Sequence, residues 1–317
     1  MTKLKASHST PAHPRRDNVI SNVLVVVKRT SYRTLVEEKH DARITDLIAA
    51  GDPTVLRMRR SHEEHEGAVA EVEQALRELG IPAQVQYGAH AKIEKHFGLV
   101  VTVGGDGTLL AASHQVDSHI PVLGVNSAPS SSVGFFCATK KGAIHAALEQ
   151  AVTGRMIATQ LTRMRVDLNG SCVHNRVLNE ALFCHSCPAA TSRYILRVTS
   201  KDGAAVEEEQ RSSGMWVGPA AGSTAAQKSA GGRVLPLLSS RIQYVVREPY
   251  TPQGHALKLA VGTFDAESIL TIRNKMTSAR LFLDGDHVGV ETAIGDVLTM
   301  RRSDEPLTVL GLTRNRA

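Results

Sequence analysis

Three glycines and one carboxylate follow an apolar run: Leu99-Val100-Val101-Thr102-Val103 leads into Gly104-Gly105-Asp106-Gly107-Thr108. The run reads as a buried strand, and the glycines as the turn that ends it. Glycine lacks a Cβ, so it adopts positive φ freely and lets backbone N–H groups come close to a ligand. A helix starting near Thr108 aims its positive end at the same place, which suits a phosphate. An acid in a phosphate cradle repels its ligand unless it holds a metal or accepts a proton. The combination points to phosphoryl transfer onto a hydroxyl group, with Asp106 at the chemistry. A tight turn without a ligand is the competing reading. The spacing is neither the G-x-G-x-x-G dinucleotide fingerprint nor a Walker A loop, because no Gly-Lys-Ser/Thr follows.

Two further constellations lie in the second half. Asn179-Glu180 closes the short apolar pair Val177-Leu178. An amide beside a carboxylate suits a vicinal ribose diol. Neighbouring side chains on a strand point to opposite faces, so a turn or bulge is required if both are to meet one ligand. The alternative is a surface Glu beside a turn Asn. Residues 218–232 form a second glycine-rich block, dominated by small side chains. A flat adenine ring can lie close to such a backbone, with Ser223, Thr224 and Ser229 offering hydroxyls; a flexible loop of small residues is the alternative. Cys184 and Cys187 form a C-x-x-C, but no second ligand pair accompanies them, so free thiols are expected and no metal ligation by protein side chains.

The elements that must position these residues follow from periodicity. Strands are expected at Val23–Val27, Ala83–Tyr87, 99–103 and 121–125, the last closed by Asn126. Helices are expected over 32–50, 61–79, 108–116 and 140–152, with Ser61 and Glu64 as a capping box. This β-α-β series predicts an open parallel sheet, with ligands at the carboxyl ends of its strands, so Asp106 and Asn126 should share a crevice. Beyond residue 155 the pattern shortens. Met164, Val166 and Leu168 alternate with polar residues, and Asn169-Gly170 is a strong hairpin signal. Residues 194–199, 256–261, 269–272 and 281–283 read as further strands, with Asp284-Gly285 as another hairpin turn. The fold class is therefore α/β: a Rossmann-like open parallel sheet over 18–155, then a β-rich, sandwich-like domain over 156–317, its last strand returning to the first domain. Residues 1–17 read as a disordered tail.

Composition narrows the partners. The chain has 317 residues, 42% of them apolar and only 4% aromatic, so its cores must be aliphatic. A net charge of +6 favours anionic ligands. No dense Lys/Arg run interleaved with aromatics points to nucleic acid. No apolar run has the length of a membrane span, and no hydrophobic signal core opens the chain, so a cytoplasmic protein is expected.

The three blocks, in this order, resemble the signatures of the NAD kinase family. Gly104-Gly105-Asp106-Gly107-Thr108 looks like the first, Asn179-Glu180 like the second, and Gly222-Ser223-Thr224-Ala225 with Ser229-Ala230-Gly231-Gly232 like the third. The glycine run alone is shared with diacylglycerol-type lipid kinases. Cys187-Pro188-Ala189-Ala190, Arg211-Ser212-Ser213-Gly214 and Val246-Arg247-Glu248-Pro249 are similar to the plant NADH kinase branch, itself similar to the mitochondrial-type enzymes. Two positions depart from the common pattern. The usual Asp before the third signature is Ser213, and the usual Tyr after Gly-Ser-Thr-Ala is Ala226. Losing a carboxylate near the nicotinamide end relaxes the preference for oxidised, positively charged NAD.

The resemblance implies transfer of the γ-phosphate of ATP, accompanied by Mg2+, to the 2′-hydroxyl of the adenosine ribose of NAD or NADH. It implies Asp106 as the proton-accepting or orienting group. Gly104, Gly105, Gly107 and Thr108 would meet phosphates, and Asn126, Asn179 and Glu180 would meet the ribose and base. Ser213, Gly222, Ser223, Thr224, Ala225 and Ser229 would frame the dinucleotide, and Arg193 would meet a phosphate. It also implies a homodimer or homotetramer. A lipid kinase on the same glycine turn, or a catalytically silent dinucleotide sensor, are the alternative functions.

Overall fold

The strand Val23–Val27 is five aliphatic residues in a row, and all five are fully buried. Such a run has no polar face to offer water, so it must lie inside a sheet covered on both sides. A computed structural model of the chain, describing residues 20, 22–88, 93–94, 96–251, 256–286 and 288–312, places it there.

In chain order the first elements are β1 (Val23–Val27), α1 (Ala42–Ala49), α2 (Met58–Glu78), β2 (Ala83–Tyr87), β3 (Leu99–Gly104), α3 (Asp106–Ser113) and β4 (Val122–Asn126). Then come β5 (Cys137–Lys140), α4 (Ile144–Val152) and β6 (Ala158–Leu161). The β-rich part contains β7 (Met164–Leu168), β8 (Ser171–Val177), β9 (Ala181–His185), β10 (Ser192–Thr199), β11 (Ala205–Ser212) and β12 (Met215–Pro219). After the short helix α5 (Ala226–Ser229) follow β13 (Ile242–Val246), β14 (Val261–Phe264), β15 (Ile269–Asn274), β16 (Ala279–Leu283), β17 (Val288–Thr292), β18 (Val297–Arg302) and β19 (Leu307–Leu310).

The first sheet runs β2-β1-β3-β4-β19-β6, with β5 against β4. Strands β2, β1, β3, β4 and β5 are parallel, and β19 joins parallel to β4. Alternate residues of β1 enter different cores. Val23, Val25 and Val27 meet α2 and α4, whereas Leu24 and Val26 meet Leu109 and Ala112 of α3. That second core also holds Leu178 and Ala221, so segments flanking the second and third signatures pack in the same core as α3. The other two sheets, ordered β11-β10-β15-β18-β7-β8 and β14-β13-β12-β9-β16-β17, are antiparallel. Their inward residues share one core, in which Phe183 of β9 meets Tyr194 of β10 edge to face at 5.5 Å.

Several expected boundaries move. The helix expected over 32–50 is broken: a π-helical turn, Arg33–Glu38, ends before His40 at φ +50°, and α1 restarts with the Asp41 carboxylate accepting from Ile44 N–H. Helix α2 starts three residues before Ser61, whose N–H already donates to Arg57 C=O, so Ser61 and Glu64 form no capping box. The helix after the glycines begins at Asp106 rather than Thr108. Residues 137–140 become β5, which delays α4 to Ile144. The strand expected over 256–261 starts only at Val261. Residues 218–232 are not a flexible loop: they end β12, make a 3-10 turn at Ala220–Thr224 and form α5. The expected tail lies outside the described residues.

One buried cation ties the end of α3 to the segment that precedes β19. Arg163 is fully buried. Its Nη1 donates to the carbonyls of Ser113 (3.0 Å) and Val116 (2.9 Å), its Nε to Glu305 C=O (2.6 Å), and its Nη2 to Pro306 C=O (3.3 Å). A positive charge at a helix carboxyl end is favourable, and the guanidinium fork meets four acceptors, the two at the helix end in buried hydrogen bonds. Burial lowers its pKa only to about 10, so it stays charged at neutral pH. Replacing Arg163 by Met should destabilise the fold by about 3–5 kcal/mol, because the carbonyls lose their donor. Arg163→Lys should recover less than half of that, since an ammonium cannot span both segments. Urea unfolding of the three proteins checks both statements.

Candidate functional site

Gly104 and Gly105 are needed for space, not for handedness. Gly104, Gly105 and Gly107 are all absent from the positive-φ residues, and Gly105 sits at φ −114°, ψ −164°. A Cβ on Gly104 would run into the Thr108 hydroxyl, and one on Gly105 into the Ser132 hydroxyl. A Cβ on Gly107 would meet nothing within 4 Å, since that residue faces an open cleft. The expectation of positive φ in this turn is thus corrected: β3 passes straight into α3, and its glycines let the loop after β4 close over it.

Asp106 sits in the first turn of α3. Its carboxylate accepts N–H donors from Phe135 (2.9 Å) and Phe136 (2.8 Å), which lie beyond β4. Asn126, at the end of β4, fixes the same loop by donating from Nδ2 to Ser132 C=O (3.0 Å). Ser127 N–H donates to Gly104 C=O, and Ser127 Oγ meets Nδ1 of buried His65 at 2.8 Å. Burial, reinforced by the Lys28 charge, lowers His65 to about 4, so it is neutral. A cleft of about 660 Å³ opens over Gly104, Asp106, Gly107 and Thr108 and is also lined by Lys28 and Ser131, whereas Asn126 lines a neighbouring cleft that meets the first at Ser131 and Ser132, so the two residues expected in one crevice border adjoining ones.

The turn that Asn179-Glu180 requires is supplied by a residue 104 to 106 positions away, Asp284. The Asp284 side chain is 1% exposed. Its Oδ2 accepts from Leu178 N–H at 2.7 Å, and its Oδ1 from the N–H groups of Asn179 (2.7 Å) and Glu180 (3.0 Å). Asp284 N–H donates back to Glu180 C=O at 2.9 Å. The fourth donor to the carboxylate is His114, directly after α3, whose Nε2 lies 2.9 Å from Oδ2. His114 Nδ1 in turn faces His174 Nε2 at 2.9 Å, while His174 Nδ1 accepts from Arg176 N–H at 3.0 Å. The backbone donor fixes every tautomer in the chain. His174 carries its proton on Nε2 and gives it to His114, which carries its own on Nε2 and gives it to Asp284. Burial, with His114 as neighbour, lowers His174 to about 4, which keeps it neutral.

A second cavity of about 370 Å³ lies at this relay, with Gly107, Ala111, His114, His174 and Asp284 in its wall. It shares Gly107 and Ala111 with the cleft at Asp106, so one exposed face of α3 runs from Asp106 to His114 along a continuous groove. Sequence reasoning missed His114, His174 and Asp284. Asp284-Gly285 was legible only as a turn, and no local signal marks a carboxylate that serves a loop so distant in sequence.

The remaining candidates divide. Glu180 Oε2 and Asn179 Oδ1 are buried without hydrogen-bond partners, which suits groups awaiting a ligand. Burial, then the Asp284 charge, pushes the Glu180 carboxyl up to about 8. Gly222 and Gly218 are packed so tightly on Asn179 that a Cβ on either would strike its carbonyl oxygen. Ser223 is fully buried, donating to Ala220 C=O (2.8 Å) and accepting from Leu235 N–H (2.9 Å). Gly222 thus lies against the second block, while Ser223 ties the 3-10 turn to Leu235. Thr224 and Ala225 are half-buried and Ser229 is exposed at the end of α5. Arg193 is exposed on β10, in a different sheet from β3 and β9, and neither it nor Ser213 lines the Asp106 cleft. Ser213 is held by Arg247, whose C=O accepts its N–H at 3.0 Å.

Comparison with known proteins matches residues 20–156 to the model of the ATP-NAD kinase N-terminal domain. A protein of Oryza sativa subsp. japonica named "Probable NADH kinase" is 38% identical over 234 residues, covering 68% of this chain and 71% of that protein. Among solved structures, an NAD kinase from Archaeoglobus fulgidus in complex with ATP aligns with a TM-score of 0.64 at 20% identity, over 93% of this chain and 94% of that one. A yeast NADH kinase complexed with NADH aligns with a TM-score of 0.64 at 17% identity, over 94% and 85%. At these identities the two structures establish the shared fold.

Two predictions follow from the Asp284 cluster. Asp284→Asn turns one acceptor oxygen into a donor facing N–H groups. It should cost about 2–4 kcal/mol of stability in urea unfolding, with the loss transmitted to the 178–180 turn. Glu180 gives a pH signature. Its folded pKa lies above the unfolded value of about 4.3, so the native state binds the extra proton. Stability is therefore full below about pH 4 and falls as pH rises toward about 8. Glu180→Gln should raise Tm by several degrees at pH 8.5 and leave it unchanged near pH 4. Equal Tm changes at both pH values would contradict a protonated Glu180.

Proposed function

The chain belongs to the NAD kinase family, and from that premise we propose that it transfers the γ-phosphoryl group of ATP to the 2′-hydroxyl of the adenosine ribose of NAD or NADH, forming NADP or NADPH. The observation that carries the reading is the groove along α3. It begins at a glycine turn with one carboxylate and ends at Asp284, whose carboxylate pins the Asn179-Glu180 turn, so an acceptor held along the groove can bring its hydroxyl to a phosphate at Asp106. In phosphoryl transfer the protein mainly positions reactants and balances charge. Asp106, aimed by two backbone N–H donors, accepts or orients the hydroxyl proton. The turn at Gly105 and Gly107 brings backbone N–H groups to the phosphate, and Thr108 adds a hydroxyl. Asn179 Oδ1 and the protonated Glu180 meet ribose and base, one as acceptor and the other as donor. Thr224, Ala225 and Ser229 frame the far side, and Arg193 is available to a phosphate.

Among the described residues no cluster of three or more His, Cys, Asp or Glu side chains could hold a metal ion. Asp106 is the one carboxylate lining the cleft. This fits Mg2+ arriving with the nucleotide and bound mainly by its phosphates, where it neutralises charge on the transferred group. Among the described residues no helix is long and apolar enough to cross a membrane. We propose a cytoplasmic location, as the sequence pattern suggests, and a homodimer or homotetramer, on the family resemblance.

Use of the reduced dinucleotide is favoured by the rice relative's name and by the neutral side chain at Ser213. Where the common pattern has an acid, Ser213 C=O accepts from the Arg247 guanidinium at 3.4 Å. That cation does nothing to attract an oxidised nicotinamide. Incubation with magnesium–ATP and either NAD or NADH should yield NADP(H), with NADPH forming faster. Asp106→Asn should cut turnover by a factor of about 100 or more and leave dinucleotide affinity within about threefold. Near-normal turnover in that variant would remove Asp106 from the chemistry.

A further inference from the structure

A third cavity, of about 530 Å³, adjoins the Asp106 cleft and shares no lining residue with the groove at Asp284. The two share Lys28 and Ser131. Lys28 is the residue after β1. Its N–H donates to Val103 C=O at 2.9 Å, which places it beside the entry to the glycine turn. A Cβ on Gly104 would lie 3.2 Å from Lys28 Cβ. The cavity's far wall is apolar, formed by Tyr32, Leu56 and Met58, and Leu56 is 66% exposed at its mouth. Tyr32 is held in place by stacking on His62, with ring centroids 4.8 Å apart. Between this wall and the glycine turn stands Arg57, which also borders the neighbouring cleft at Asn126 and Ser132. No Asp or Glu lines the cavity. Among the described residues neither Lys28 nor Arg57 has an ion-pair partner.

Two unpaired cations leading from a phosphate-binding turn to an apolar pocket describe a nucleotide: anionic tail at one end, flat base at the other. The dinucleotide's direction is already taken by the groove toward Asp284. We propose that this third cavity holds the nucleoside of the phosphoryl donor, with Arg57 and Lys28 guiding its triphosphate to Asp106. The inference rests on the kinase reading above and adds the donor's place. The donor cavity meets the Asp106 cleft at Lys28 and Ser131 and the groove toward Asp284 meets it at Gly107 and Ala111, so donor and acceptor enter the cleft from different walls, as transfer between them requires. The cavity lies within the size range of ligand pockets, about 300–1,000 Å³.

Both residues chosen for the test are exposed, so their substitution should spare the fold. NADPH formation is measured with ATP and NADH varied separately. Arg57→Ala should raise KM for ATP by about tenfold, the equivalent of one charge-assisted contact, while KM for NADH stays within about twofold. Arg57→Lys should restore most of the loss. Leu56→Asp, which sets an acid at the mouth of the cavity, should also raise KM for ATP selectively. Unchanged KM for ATP in Arg57→Ala and Leu56→Asp, or an equal rise for NADH, overturns the donor pocket. A wild-type protein that forms neither NADP nor NADPH overturns the kinase reading itself, so the two failures are distinguishable.

Discussion

A single buried carboxylate organises the turn that carries Asn179 and Glu180. Asp284 is closed off from solvent yet takes four hydrogen bonds, three from consecutive backbone N–H groups and one from His114. Burying an isolated carboxylate costs several kcal/mol, and only a full set of donors offsets this. The same donors need the carboxylate: Leu178, Asn179 and Glu180 lie in a turn between β8 and β9 where no strand partner accepts their N–H groups. Each side therefore enforces the other. The consequence is geometric, since the pinned turn interrupts the strand alternation that would otherwise send Asn179 and Glu180 to opposite faces.

Helix α3 connects this turn to the glycine loop. It is only eight residues long and too short to be stable alone, so its ends must be held by the rest of the chain. At its start, Asp106 reaches the backbone of Phe135 and Phe136; just past its end, His114 reaches Asp284. Arg163 satisfies the carbonyls of Ser113 and Val116 and binds them to the segment entering β19. Because β19 returns to the parallel sheet beside β4, the β-rich part and the sheet that carries Asp106 are fastened at the same helix.

The sequence showed best what is local. The all-apolar runs of β1 and β3, the Asn169-Gly170 hairpin with both residues at positive φ, and the strand-to-helix passage at the glycines were readable from composition and spacing. Helix ends were less so. Ser61 has the chemistry of a cap, yet α2 begins upstream of it, because residues 53–57 already turn helically. The glycine turn was read with the wrong cause: crowding by Thr108 and Ser132, both set by tertiary contacts, replaced the expected positive φ. The third block looked like a ligand loop because its residues are small. Gly218 and Gly222 are small because the Asn179 carbonyl lies against them, and no pattern within the block could reveal that neighbour. Asp284, His114 and His174 were invisible for the same reason, being far apart in sequence and ordinary in type.

Electrostatics then distinguishes three carboxylates held around α3 and the Asn179-Glu180 turn. Asp106, Glu180 and Asp284 would together repel a nucleoside triphosphate and a dinucleotide if all faced the groove as free charges. The fold treats each differently. Asp284 spends its charge on four internal donors. Glu180, buried beside that charge, is driven toward its neutral form, with a pKa of about 8. One fixed charge thus suppresses a second, and Glu180 becomes a hydrogen-bond donor where a carboxylate would only accept. That leaves Asp106 as the one carboxylate in the cleft at the glycine turn, with Lys28 on the same rim. A lone acid opposed by a cation is the condition under which a phosphate can approach and a hydroxyl proton still has a place to go.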